Sequence, residues 1–219
     1  MNKMLPALIL LTGLLYIFII PAEPHAVKLI FKAIPMLLII AYAYLQSAPN
    51  GKRFQWILLT GLVFSVVGDV TLGNFVVGLS AFLIGHLFYL SGFFGQWRFS
   101  FWRLVTIVPI GAYAVYMGYE LLDALAKSGD DALRIPVLVY VTAISLMGWS
   151  AMMSGNAWAI AGAMLFMASD SILAWNKFIS DIAGSDVLIM TTYYAAQFCI
   201  ATCIGYRSRT APKQKAMIL

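Results

Sequence analysis

Residues 54–72 read FQWILLTGLVFSVVGDVTL, nineteen residues with one ionisable side chain, Asp69, near the far end. A helix of that length crosses a hydrocarbon core of about 30 Å. The basic pair Lys52-Arg53 stands before the run, and the turn-forming Gly73-Asn74 closes it. Read outward from there, the same pattern recurs in both directions. Apolar runs occupy 4–20, 27–45, 54–72, 75–94, 104–122, 135–153, 157–178 and 187–206. Turn chemistry separates them at Pro21 to Pro24, at Ser47 to Gly51, at Gly73-Asn74, at Ser128 to Asp131 and at Ser154 to Asn156. A spanning barrel needs short alternating strands, so helices are the only suitable element. The expectation is an all-α polytopic membrane protein, an eight-transmembrane-helix bundle forming one domain over residues 1–219.

The composition agrees. Of 219 residues, 62% are hydrophobic and 11% charged, with a mean hydropathy of +0.88. A soluble domain carries roughly a quarter charged residues. The net charge of +5 lies between apolar runs and in the last residues, with no basic stripe, which argues against nucleic acid. The two cysteines, Cys199 and Cys203, sit four apart in one apolar run and read as small buried hydrophobes. With only His25 and His86 in the chain, a zinc-hydrolase ligand set is lacking. The first run begins after Lys3 but ends Pro-Ala-Glu-Pro-His without a small-x-small cleavage site, so it reads as a retained helix.

Loop charges orient the bundle. One side carries Lys3, Lys52, Arg53, Arg98, Arg103, Arg207, Arg209, Lys213 and Lys215. The other carries Glu23, Asp123, Asp130, Asp131, Asp181 and Asp186 against Lys127 and Arg134. The positive-inside rule then puts both termini in the cytoplasm, with 206–219 as a short basic tail anchoring the topology. A weak internal repeat accompanies this. Residues 61–72, GLVFSVVGDVTL, align with residues 162–173, GAMLFMASDSIL, an offset of 101 residues from Asp69 to Asp170. It equates the third span with the seventh, which cross in the same direction, as a parallel four-plus-four duplication requires.

Ionisable groups within spans are the informative ones, because each costs a few kcal/mol at the bilayer centre. Lys32, Asp69 and Asp170 qualify; Glu120 lies nearer an edge. At about 1.5 Å per residue, Asp69 lies roughly 22 Å and Asp170 roughly 20 Å from the cytoplasmic ends of their runs, and Lys32 about 8 Å from the opposite face. All three converge on one level in the outer half of the membrane. An ion pair pinning helices together would explain Lys32 and one aspartate. It leaves one acid without a partner, and a carboxyl group buried near another carboxylate favours its neutral form. A carboxylic acid beside a carboxylate is an acid–base pair.

Tyr140, Tyr193, Tyr194 and Gln197 fall at similar depth. The tyrosines also suit packing, whereas a buried amide such as Gln197 needs partners. His86, near the midplane, fits a neutral histidine bonded to a neighbouring helix as well as it fits catalysis. Lys177, near the outer end of its run, is expected to snorkel.

Five ordered stretches carry a resemblance: Phe31-Lys32-Ala-Ile-Pro35; Val67-Gly68-Asp69; Gly85-His86-Leu-Phe-Tyr89; residues 162–175, GAMLFMASDSILAW; and residues 191–197, TTYYAAQ. In this order, across nearly the whole chain, they are similar to the YhhN-like lysoplasmalogenase family of small integral membrane proteins, with no departure at either aspartate. The last two stretches are the most specific.

The resemblance implies hydrolysis of the vinyl-ether bond of a lysoplasmalogen, releasing a fatty aldehyde and glycerophospho-ethanolamine or -choline. It implies a lysophospholipid substrate within a bacterial inner membrane or the endoplasmic reticulum, and no cofactor or metal. That chemistry requires a protonated acid, a negative group facing an oxocarbenium ion and a positioned water. Asp69 and Asp170 suit the acid and carboxylate roles in either order, as paired carboxyl groups do in glycoside hydrolysis. Lys32 suits phosphate binding or tuning of an aspartate. Tyr193, Tyr194 and Gln197 suit the water or the glycerol hydroxyl, and Tyr140 and His86 complete the candidate substrate-binding set. A transporter or lipid-binding protein would use the same polar site without chemistry, and a purely structural membrane protein would use it only to pin helices.

Overall fold

The computed structural model describes residues 4–21 and 23–206. The expected charges Lys3, Arg207, Arg209, Lys213 and Lys215, and with them the basic tail, lie outside the described residues. Among those described, all regular structure is helical: α1 (Met4–Phe18), α2 (His25–Leu45), α3 (Lys52–Thr71), α4 (Phe75–Phe94), α5 (Phe101–Val105), α6 (Ile107–Ser128), a 3₁₀ turn at Asp131–Leu133, α7 (Arg134–Ser154), α8 (Ala157–Phe178) and α9 (Ser185–Gly205).

Seven segments are long and apolar enough to cross a membrane: Ala26–Leu45, Lys52–Thr71, Phe75–Phe94, Phe101–Ser128, Asp131–Ser154, Ala157–Phe178 and Ser185–Gly205. The eighth apolar helix, α1, has 15 residues and is shorter than these. Large apolar side chains such as Leu10, Trp102, Val115 and Ile135 stand exposed on the outer faces, as they do where the surrounding solvent is lipid. The protein is an all-α, multi-pass integral membrane protein.

The fifth run departs from its expected bounds of 104–122. Helix begins at Phe101, breaks at Thr106 and continues to Ser128. Pro109 is the cause of the break, because it has no N–H for the carbonyl four residues back, and that residue is Val105, the last of α5. At the far end, Asp123 and Lys127 were expected in a loop. They instead form an i,i+4 ion pair within α6, so the helix outruns its apolar stretch on a polar, self-paired face. Gly129, at φ 79°, then closes α6 in the left-handed conformation.

Contacts between helices are most extensive for α8 with α9, α3 with α4, and α4 with α7. Small residues allow the first two approaches. A side chain at Gly61 of α3 would collide with the Tyr89 ring of α4. At Gly162 of α8 it would meet Ile200 Cγ1 of α9 at 2.8 Å and the Ala196 carbonyl at 3.0 Å. Gly61 and Gly162 open the aligned stretches 61–72 and 162–173, and each serves close packing. The core between these pairs is filled by Met36, Ile39, Leu58, Leu62, Tyr89, Phe166 and Ile200, all fully buried.

The two ends of the bundle are built differently. At the end where α2 finishes and α3 begins, Gln55 Nε2 lies 2.9–3.2 Å from the carbonyls of Ala43, Tyr44 and Gln46, meeting the unpaired acceptors of a helix terminus. Nearby, Asn50 Nδ2 donates to the Tyr206 carbonyl (3.2 Å), Asn156 Nδ2 to the Cys203 carbonyl (3.3 Å), and the Arg98 amide to the Met153 carbonyl (3.0 Å). Amide side chains and backbone thus latch that end together. At the opposite end, where α3 and α8 finish and α2 and α9 begin, a cavity of about 490 Å³ remains.

Candidate active site

α2 delivers Lys32 and α3 delivers Asp69 to that cavity, and their charged groups meet at 3.0 Å. Asp69 is almost wholly buried, and the Lys32 side chain is 14% exposed. Both carboxylate oxygens are engaged: Lys32 Nζ contacts Oδ1, while the Tyr193 hydroxyl of α9 donates to Oδ2 at 2.7 Å. The backbone around Lys32 is locally supported. Pro35 lacks the N–H that would bond the Phe31 carbonyl, and the next carbonyl, that of Lys32, accepts from the Tyr194 hydroxyl at 2.9 Å. Tyr194 therefore holds the helix that carries the lysine and does not touch either carboxylate through that bond.

A second network extends inward from Asp69. The Tyr193 hydroxyl also lies 3.4 Å from the Ser65 carbonyl. Ser65 Oγ is 3.3 Å from the Tyr89 hydroxyl, which donates to Gln197 Oε1 at 2.8 Å. Gln197 is fully buried, and its Nε2 has no hydrogen-bond partner among the described residues. The sequence reading missed Ser65 and Tyr89. Ser65 is one turn from Asp69 on the same helix face, which was a usable signal; Tyr89 ends a stretch quoted for its histidine.

Asp170 has a different setting. Tyr140 of α7 donates to Asp170 Oδ2 through a very short hydrogen bond, and His86 Nε2 of α4 lies 3.3 Å from the same oxygen. His86 Nε2 is also 2.9 Å from the Tyr140 hydroxyl. Tyr140 has one proton and spends it on Asp170, so donor counting assigns the proton in the His86–Tyr140 contact to Nε2. His86 is fully buried, with Nδ1 unpartnered among the described residues, and its ring packs edge-on against Phe166 at 4.6 Å. The expectation that one acid would lack a partner is corrected here: Asp170 has an imidazole where Asp69 has an ammonium. At the next residue, Ser171 Oγ and the Tyr113 hydroxyl are 2.7 Å apart, a further pair the sequence reading did not select.

Asp170 opens on a narrow apolar cleft of about 40 Å³, lined by Phe82, Tyr113, Tyr140, Ile144 and Leu173 among others. Leu72 and Leu173 line both this cleft and the larger cavity of Asp69. Each stands three residues after its aspartate, so a leucine at the same spacing from either carboxyl group borders the two compartments.

Of the eight residues expected at the site, Lys32, Asp69 and Tyr193 form one centre, and His86, Tyr140 and Asp170 form the other. Tyr194 supports the first through backbone, and Gln197 closes the inward network.

Residues 27–204 match the YhhN family. Mouse lysoplasmalogenase TMEM86B is 32% identical over 203 residues, covering 91% of this chain and 85% of that protein. Human lysoplasmalogenase TMEM86A is 32% identical over 201 residues, covering 82% and 79%. The lysoplasmalogenase of Mycobacterium tuberculosis (strain CDC 1551 / Oshkosh) is 32% identical over 178 residues, covering 78% and 67%. No solved structure matches. With a match running from residue 27 to residue 204 and relatives of this identity along most of both chains, the protein belongs to the YhhN family.

Proposed function

We propose that the protein is a lysoplasmalogenase that cleaves the vinyl-ether bond of a lysoplasmenyl-ethanolamine or -choline, with Asp69 and Asp170 in unlike roles. The observation that carries this reading is the asymmetry of their partners: Lys32 at 3.0 Å for Asp69, His86 and Tyr140 for Asp170. Named lysoplasmalogenases at 32% identity support the substrate class. We also read α1 as an eighth crossing, with both termini cytoplasmic and the cavity facing the other side.

Vinyl-ether hydrolysis begins with a proton added to the β-carbon, which leaves positive charge shared by the α-carbon and the ether oxygen. Water adds to the α-carbon and loses a proton. The hemiacetal then collapses to aldehyde and glycerol hydroxyl, so one water is consumed and the catalytic proton returns. Asp69, with the Lys32 ammonium 3.0 Å from one oxygen and the Tyr193 hydroxyl on the other, is suited to face the oxocarbenium ion. Asp170 shares its oxygen with a histidine N–H and a phenol, groups able to deliver and recover a proton. The two carbons are neighbours in the substrate, so the bound vinyl ether has to part Leu72 and Leu173 for both carboxyl groups to reach it.

The test is aldehyde release from lysoplasmenyl-ethanolamine by purified protein in detergent, with the saturated-ether lysolipid as control. Aldehyde from the vinyl ether alone is expected. Folded protein that binds the lipid and releases none overturns the proposal in favour of binding or transport.

A further inference from the structure

Resting on that reading, the cavity mouth has a feature the reaction itself does not use. Lys28 and Lys32 stand one turn apart on α2, and both line the cavity with Asp69, Glu23 and Asp186. Lys32 is committed to Asp69. Lys28 Nζ meets Asp186 Oδ2 at 3.9 Å only, with Lys28 one-third exposed and Asp186 exposed. A pair so loose and so wet contributes little, and exchanging it for ligand charges costs correspondingly little.

Beside the cavity's other flank lies an apolar groove of about 370 Å³ between α1 and α9, lined by Ile9, Leu10, Gly13, Leu14, Tyr194 and Phe198. Ile17 borders both spaces. From groove to mouth, the surfaces run apolar wall, Asp69, the Lys28 cation, the Asp186 anion. A single-chain zwitterionic phospholipid presents its complement in the same order: alkyl chain, ether carbon, phosphate, ammonium. The apolar cleft beside Asp170, at about 40 Å³, holds little more than solvent.

We propose that Lys28 and Asp186 form a headgroup subsite, Lys28 binding the phosphodiester and Asp186 the ammonium, while the alkyl chain lies in the α1–α9 groove. The subsite sets preference for an amine-bearing headgroup and acts on binding, not on the bond-breaking step.

The experiment titrates purified full-length protein with two non-cleavable lipids, a 1-O-alkyl lysophosphoethanolamine and the amine-free 1-O-alkyl lysophosphatidate. Asp186→Asn is expected to weaken the first about twofold to fivefold and to leave the second unchanged; Lys28→Gln is expected to weaken both by a similar factor. Both side chains are at the solvent-facing mouth, and unchanged melting temperatures establish that the variants fold. A Cβ at Gly13 meets only the Tyr194 ring, at 3.6 Å, so Gly13→Leu fills the groove and is expected to weaken both lipids. An equal shift of both lipids in Asp186→Asn, or none in Lys28→Gln, overturns the subsite; undiminished binding in Gly13→Leu removes the chain from the groove. Aldehyde release is followed in parallel. Headgroup discrimination without aldehyde sinks the hydrolase reading alone, and aldehyde without discrimination sinks the subsite alone.

Discussion

Asp69 and Asp170 each accept a hydrogen bond from a tyrosine of another helix, and each stands three residues before a leucine that borders both compartments. Beyond that they diverge. Asp69 faces the larger cavity with a lysine as its counterion; Asp170 faces a narrow apolar cleft with a fully buried histidine. A pair of carboxylates built alike would compete for one role. On the proposed reading the unlike partners separate the roles, because an ammonium favours a negative charge beside it whereas an imidazole N–H can leave and return.

The largest effect that tests this contrast is expected from Asp170→Asn, which removes the proton-handling acid while keeping its shape. Aldehyde release should fall by about 10²–10⁴-fold with lipid binding retained, and near-normal turnover would end the assignment. Next, Lys32→Met leaves Asp69 buried without its cation and should destabilise the fold by about 3–5 kcal/mol. Adding Asp69→Leu should restore much of that stability in thermal unfolding yet restore no activity. A double variant that regains turnover would show Asp69 to be structural only. His86→Gln keeps a donor near Asp170 but removes the ring that exchanges protons. Turnover should drop by about 10²-fold and the pH–rate profile should change shape, whereas Tyr193→Phe, at the other centre, should lower rate without reshaping the profile. The smallest effect should come from Tyr194→Phe, which removes one hydrogen bond to the Lys32 carbonyl: about 1 kcal/mol of stability, with turnover close to wild type.

The charged residues of this contrast stood out in the chain itself, for a reason of solvation, although which aspartate Lys32 would pair with did not. In an apolar run a charged residue stands out, so Lys32, Asp69 and Asp170 were found by cost alone, and depth counting brought them to one level. The pairing of Asp170 with His86 and Tyr140 was not legible. It depends on α4 packing on α7 in preference to its successor in sequence, and helix adjacency is a tertiary fact that hydropathy does not encode. Tyr89 and Ser65 were missed because neutral polar residues are inexpensive in a helix that can hydrogen-bond them, and so carry little signal. The overlong α6 was readable in retrospect, since Asp123 and Lys127 have the i,i+4 spacing of a helical pair. Pro109 likewise marked the break at Val105 by rule.

The latched end described above has a consequence for the membrane as an insulator. Gln55, Asn50, Asn156 and the Arg98 amide join the helices where the basic loops lie, while the described cavity lies at the opposite end. On the proposed topology that recess is a blind well, not a conduit. Ions and protons admitted to the carboxylates would then return to the compartment they came from, and turnover would proceed without short-circuiting the voltage across the bilayer. With the chain placed as proposed, products would inherit the same one-sidedness: the water-soluble glycerophospho fragment would be discharged on the side of the mouth, and the aldehyde would pass back into the lipid beside α1 and α9.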